Sequence, residues 1–148
     1  MLRLAALVTV ALMMSVPAAA ATSGPDDGHG GRCTVLGTDG NDVLRGTRGD
    51  DVFCSYGGRD YIRSFSGDDI VYSGRGVDRV DGGPGNDWLD GLGAGDFLSG
   101  GEGDDFLFGR RGDDILPGGH GDDRIFGGKG DDWCGHSGID ILRSCEAK

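Results

Sequence analysis

The 148-residue chain carries 25 acidic against 14 basic residues, a formal net charge of −11, and 32 glycines. Acidity of that size repels nucleic acid and anionic lipid and attracts cations, which argues against a nucleic-acid partner and against membrane insertion. So much glycine signals disorder or a repeat architecture rather than an ordinary globular core.

Residues 1–21 read as a secretory signal peptide, which predicts a secreted, extracellular protein. Arg3 supplies the charged start, residues 4–16 form an apolar run too short to span a bilayer comfortably, and the alanines at 18–21 offer a small-residue cleavage site. Cleavage after Ala21 leaves residues 22–148 with a formal charge of 13 − 25 = −12, because Arg3 is the one charged residue removed. Residues 22–32 (TSGPDDGHGGR) are polar and glycine-rich and read as a flexible linker. Residues 33–148 are the folded domain, and they leave no room for a separate catalytic one.

From there aspartate recurs every nine residues: Asp42, Asp51, Asp60, Asp69, Asp78, Asp87, Asp96, Asp105, Asp114, Asp123 and Asp132. Two residues before each stands glycine, except at Ala94; two residues after stands an apolar residue, ending with Cys134. The unit is G-G-x-G-x-D-x-U-x, a nonapeptide of calcium-binding parallel β-helices. Its first six residues hold glycines where a tight turn needs positive φ, and its last three are β-prone with the middle side chain pointing the opposite way from its neighbours. One such strand cannot bury its apolar residue alone, but stacking many builds a continuous core. Two repeats make an eighteen-residue coil with a strand on each side. Phe53, Val71, Leu89, Leu107 and Ile125 are predicted to form one internal ladder, and Leu44, Ile62, Val80, Leu98 and Leu116 the other. The last repeat is one residue short, with Asp140 only eight residues after Asp132.

Four cysteines in an exported chain suggest two disulfides, with three pairings to choose from. Stacking puts Cys33 and Cys54 at one end and Cys134 and Cys145 at the other, roughly 24 Å apart at a strand spacing of ~4.8 Å. A disulfide spans Cα atoms no more than ~7 Å apart, so Cys33–Cys54 and Cys134–Cys145 is the pairing the repeat geometry permits. Strict nonapeptide register offsets Cys33 from Cys54 by three positions, so the N-terminal cap must leave that register. A thiolate metal site needs closer cysteine spacing than this.

Over roughly residues 33–145 the chain resembles the RTX, or haemolysin-type calcium-binding, family. The opening CTVLGTDGNDVLRGTRGDDVFC, with cysteine at both ends, looks like the N-terminal cap of small secreted members. The resemblance implies an all-β, right-handed parallel β-roll with several calcium ions between successive turns. It also implies that the ligands are the repeat aspartates and the carbonyls of the glycine turns. The matching positions here are the eleven aspartates above with Gly83, Gly85, Gly101, Gly103, Gly112, Gly119, Gly121, Gly128 and Gly130.

Elementary electrostatics points to the same chemistry. Stacking sets carboxylates about 5 Å apart in columns, where each pair repels by roughly 3 kcal/mol at an effective dielectric near 20. A hard dication with oxygen ligands fits such columns; calcium accepts six to eight oxygens flexibly, whereas magnesium demands a tight octahedron and keeps its waters. Aspartate also favours turns in its own right, but that explains an occasional one and not eleven in phase. The full motif stands at 82–87, 100–105, 118–123 and 127–132, while 109–114 lacks only the second glycine. Serine replaces the first glycine at Ser55, Ser64 and Ser73, Tyr56 and Phe65 replace the second, and Ala94 interrupts 91–96. Fewer or weaker sites are therefore expected in the N-terminal half. Without calcium, the high negative charge and small apolar content favour a disordered chain.

Other features carry less. Arg48-Gly49-Asp50 and Arg111-Gly112-Asp113 spell an adhesion tripeptide, but the repeat itself generates Gly-Asp there. His29, His120 and His136 are scattered, and no HExxH or GxSxG occurs, so an enzyme is not expected. Thr38 and Thr47 are too few for an ice-binding ladder. The outward strand positions hold Trp88, Phe106, Phe108 and Phe126, a column that could dock a polysaccharide, a protein or a second copy, or simply stabilise its own strands. The alternatives to a plain calcium-binding module are thus an adhesin or carbohydrate-binding module and a non-catalytic accessory of a separate secreted enzyme.

Overall fold

The computed structural model describes residues 33–135, 137–138 and 141–145. The expected signal peptide and linker, His29, His136, Asp140 and the tail from 146 lie outside the described residues. Fourteen strands and no helix are found among the described residues. In chain order they are β1 Val35–Thr38, β2 Val43–Arg45, β3 Val52–Tyr56, β4 Tyr61–Arg63, β5 Ile70–Tyr72, β6 Arg79–Pro84 and β7 Trp88–Asp90. There follow β8 Phe97–Glu102, β9 Phe106–Arg111, β10 Ile115–Pro117, β11 Gly119–His120, β12 Arg124–Lys129, β13 Trp133–Gly135 and β14 Ile141–Arg143.

The nine-residue period dictates how they pair. One sheet runs β1-β3-β5-β7-β9-β12-β14; the other runs β13-β10-β8-β6-β4-β2, with β11 beside β8. Every pairing is parallel, and the register joins residues eighteen apart, such as Phe53↔Val71 and Leu98↔Val80. The chain is a parallel β-solenoid. At its C-terminal end β12 and β14 pair as Ile125↔Leu142, seventeen apart, so the shortened last repeat keeps its inward residue in line.

Both ladders close into a core one residue thick on each side. Phe53, Ile62, Val71, Val80, Leu89, Leu98, Leu107, Leu116 and Ile125 are fully buried. Leu44, expected among them, is only half-buried because β2 is the last strand of its sheet and no coil covers it. Val35 adds a rung below Phe53. Each residue contacts only the coils above and below, so a cavity in mid-stack cannot be filled from elsewhere. Leu107→Ala is expected to cost about 2–5 kcal/mol of unfolding free energy, measured by denaturant melts at saturating calcium.

Two expectations need correction. The strands were expected to span three residues, yet β6, β8, β9 and β12 span six. Their glycine turns continue the ladder from coil to coil, with Gly101 N–H donating to Gly118 O and Gly103 N–H to His120 O, each at 2.8 Å. The disulfides pair as expected, Cys33 with Cys54 and Cys134 with Cys145, with Cα atoms 5.9 and 5.7 Å apart. The expected departure from register at the first of them is confined to residues 33–34. Thr34 N–H donates to Val52 O, and from Val35 onward β1 follows the nonapeptide phase.

Candidate functional site

The turns form two edges of the solenoid, and their conformation is set by residues two and four of each repeat. Gly101 and Gly103 both have φ +127°, far from anything a side chain tolerates. They also lie against the coil below. A Cβ on Gly101 would fall 2.1 Å from Gly83 O, and one on Gly103 would fall 2.1 Å from Gly85 O. Gly119, Gly121, Gly128 and Gly130 meet their counterparts in the same way, and so do Gly83, Gly85 and Gly112. Carbonyl oxygens thus line the narrow space between successive turns. Where the second glycine is lost, Tyr56, Phe65, Leu92 and Arg110 hold φ between 65 and 81°, the milder left-handed region.

The repeat aspartates point inward, and those from Asp60 to Asp132 are 2% exposed or less. Each carboxylate divides its two oxygens. Oδ1 accepts the N–H of the aspartate one coil earlier: Asp87 N–H donates to Asp105 at 2.8 Å and Asp105 N–H to Asp123 at 3.0 Å. The same bond runs up both columns from Asp42→Asp60 and Asp51→Asp69 to Asp114→Asp132. Oδ2 of Asp60, Asp69, Asp78, Asp87, Asp96, Asp105, Asp114 and Asp132 accepts no hydrogen bond. In the turns of Asp87, Asp96, Asp105, Asp114 and Asp132, which begin with glycine, it sits over that first glycine. The point where a Cβ on Gly100 would lie is 2.2 Å from Asp105 Oδ2 and 2.4 Å from Gly118 O. A charged oxygen with no donor and a backbone carbonyl therefore converge on one buried spot at that glycine.

A buried, unsatisfied carboxylate oxygen is costly unless a cation meets it. Among the described residues no three His, Cys, Asp or Glu side chains converge, so backbone carbonyls must supply most ligands. That donor set is all oxygen, which suits calcium and not a thiolate- or imidazole-preferring metal. The ion pairs seen among the described residues, Arg63–Asp81 at 3.3 Å and Arg110–Asp90 at 2.6 Å, serve strand aspartates and leave the turn columns alone.

Burial pushes these carboxyls upward: Asp87 and Asp105 to about 7, Asp96 to about 8, Asp78 and Asp114 to about 6, and Asp69 in the same direction. The negative neighbours in each column add to the rise, and the N–H donated from one coil earlier opposes it. Between roughly pH 4 and 8 the metal-free fold therefore binds more protons than the unfolded chain, so its stability falls as pH rises. The expected result is a higher thermal midpoint in chelator at pH 5 than at pH 8. Excess calcium should abolish or reverse that order.

A second hydrogen-bonded column lies outside the first, and sequence reasoning took its position as merely variable. At the fifth residue of the repeat, Asp68 N–H donates to Asp50 Oδ1, Asn86 to Asp68, Asp104 to Asn86 and Asp122 to Asp104, at 2.8–3.0 Å. On the opposite edge Arg59 N–H bonds Asn41, and Asp131 N–H bonds Asp113. The signal was available, because aspartate or asparagine fills most of these positions. Asp50 and Asp113, the last residues of both adhesion-like tripeptides, are tied into this column. On the outer strand face, Trp88 and Phe106 stack at 5.5 Å and Phe108 and Phe126 at 5.0 Å. Arg124 covers Phe106 at 4.9 Å and Arg110 covers Phe108 at 5.0 Å.

Comparison with known proteins bears on the repeat. A family model described as the RTX calcium-binding nonapeptide repeat (4 copies) matches residues 34–62, 56–80, 63–98, 81–116 and 99–134. No curated protein matches the chain.

Proposed function

The chain belongs to the RTX calcium-binding nonapeptide repeat family, and from that premise we propose that it is a secreted, non-catalytic module whose roll is completed by calcium. The observation that carries this reading is the buried Oδ2 of Asp87, Asp96, Asp105 and Asp114, each without a hydrogen-bond donor and each converging with the carbonyl of the next coil's first glycine. Asp87, Asp96, Asp105, Asp114, Asp123 and Asp132 would bring the charge. The carbonyls around Gly83, Gly85, Gly101, Gly103, Gly112, Gly119, Gly121, Gly128 and Gly130 would bring the neutral oxygens. Bound calcium supplies two positive charges per ion to columns that otherwise hold only negative ones. The chain's own contribution is to fix the oxygens: Oδ1 is held by a backbone N–H, so Oδ2 cannot turn away. Secretion is supported by the leader-like residues 1–21 and by the two disulfides, which persist in oxidising surroundings.

The aromatic face supports a secondary reading, docking of a polysaccharide, a protein or a second copy. Trp88 remains 37% exposed, yet the rings spend much of their faces on one another and on Arg110 and Arg124. That stacking favours a structural ladder over a sugar platform.

Calorimetric calcium titration of Asp105→Ala beside Asp104→Ala tests the ligand assignment. Asp105→Ala should lose at least one site or weaken binding about tenfold or more, since a charged ligand is removed. Asp104→Ala should keep the stoichiometry, because its side chain serves the outer column. Unchanged binding in Asp105→Ala would count against the assignment.

A further inference from the structure

The eleven turns are not equivalent inside. In the first two, Thr38 and Thr47 satisfy the buried carboxylate of their own turn. Thr38 N–H and Oγ1 donate to Asp42 Oδ2 at 2.7 and 2.9 Å, and Thr47 does the same to Asp51 Oδ2 at 2.6 and 2.9 Å. In the next three, Ser55, Ser64 and Ser73 take the place of the first glycine and are completely buried. Their hydroxyls donate upward to the carbonyl of the first residue one coil later. Ser64 reaches Gly82 O at 2.6 Å, Ser73 reaches Gly91 O at 3.1 Å, and Ser55 bonds Ser73 O. That carbonyl is the one which, in a glycine turn, converges with Oδ2. The Oδ2 atoms of Asp60, Asp69 and Asp78 accept no hydrogen bond, but the carbonyl each would share with a cation is already engaged.

From residue 82 onward the pattern changes. The turns 82–87, 91–96, 100–105, 109–114, 118–123 and 127–132 begin with glycine and contain no serine or threonine. Four gaps are bounded on both sides by such turns: 82–87 with 100–105, 91–96 with 109–114, 100–105 with 118–123, and 109–114 with 127–132. In these the Cβ point of the first glycine lies 2.2–2.5 Å from Oδ2 and 2.4–3.1 Å from the next coil's carbonyl, with no donor on Oδ2.

We propose that the roll is built in two halves: an N-terminal half, residues 33–81, whose inter-turn gaps are closed by Thr38, Thr47, Ser55, Ser64 and Ser73 and which folds without metal, and a C-terminal half whose four glycine-bounded gaps take the calcium. This rests on the calcium reading above and says where it applies. In the first two turns a hydroxyl meets the carboxylate and in the next three a hydroxyl engages the carbonyl, so one of the two oxygens that a cation would share is already taken in each. Because each coil contacts only its neighbours, the metal-independent half, tied at its start by Cys33–Cys54, presents β5 and β6 as a template on which the calcium-dependent coils add.

Two measurements on the full oxidised protein test this. In chelator, hydrogen exchange should be about a hundredfold slower in residues 52–81 than in 88–135, and calcium should extend protection to the latter. In calorimetry, Ser73→Gly should bind one more calcium than the parent, since it opens the gap to 91–96 and gives its own turn the complete six-residue pattern. Uniform exchange along the chelated chain, protected or unprotected, overturns the proposal. So does an unchanged stoichiometry in Ser73→Gly. If calcium binds with uniform protection, the two-half proposal fails and the calcium reading stands; if neither protein binds calcium, the calcium reading itself fails.

Discussion

Chelation of calcium, with both disulfides intact, is expected to remove a large part of the β signal in far-ultraviolet circular dichroism and to leave a weak, broad melt. Returning calcium should restore both cooperatively, and magnesium should not. The columns explain the size of the effect. Neighbouring turn carboxylates at about 5 Å repel by roughly 3 kcal/mol per pair at an effective dielectric near 20, and a domain of this size has only about 5–15 kcal/mol to lose. Calcium binding to the folded state alone adds about 2.7 kcal/mol per site at a hundredfold excess over Kd. Several sites therefore move the later coils from mostly unfolded to firmly folded. The disulfides restrain only the ends, since both loops they close lie outside residues 55–133. A full β spectrum with a sharp melt in chelator would sink metal-driven folding.

The second large effect concerns backbone shape. Gly101→Ala is expected to cost at least about 3 kcal/mol or to prevent the later coils from forming. Its φ of +127° lies outside the left-handed basin that Tyr56, Phe65, Leu92 and Arg110 use. The added carbon would also stand 2.1 Å from Gly83 O, and backbone cannot be pushed aside as a flexible side chain can. Gly93→Ala is the control. Nothing lies within 4 Å of its Cβ position and its φ is not positive, so its stability should stay within about 0.5 kcal/mol of the parent. Equal effects from the two changes, in melts at saturating calcium, would show that packing between turns is not what selects glycine.

The period by itself determined the architecture. A nine-residue unit with one inward residue leaves a single register that buries every ladder, so Phe53 had to meet Val71, and Leu98 had to meet Val80. The same spacing separated the cysteines into two ends and fixed their partners. The aspartate column followed as well, because residues eighteen apart must stack. Only the tertiary structure decided how each carboxylate is used. Whether an oxygen is held by an N–H, met by a hydroxyl or left for a cation depends on groups one coil away, to within tenths of an ångström. The sequence pattern specifies faces, not such distances. For that reason Thr38 and Thr47 read as isolated turn residues and Ser55, Ser64 and Ser73 as degraded glycines, until stacking placed their hydroxyls inside the turns. The outer column showed in the sequence only as a bias to aspartate and asparagine at the fifth position; its bonds did not, because a side chain on the surface of one coil finds its donor only when the next coil is laid on top.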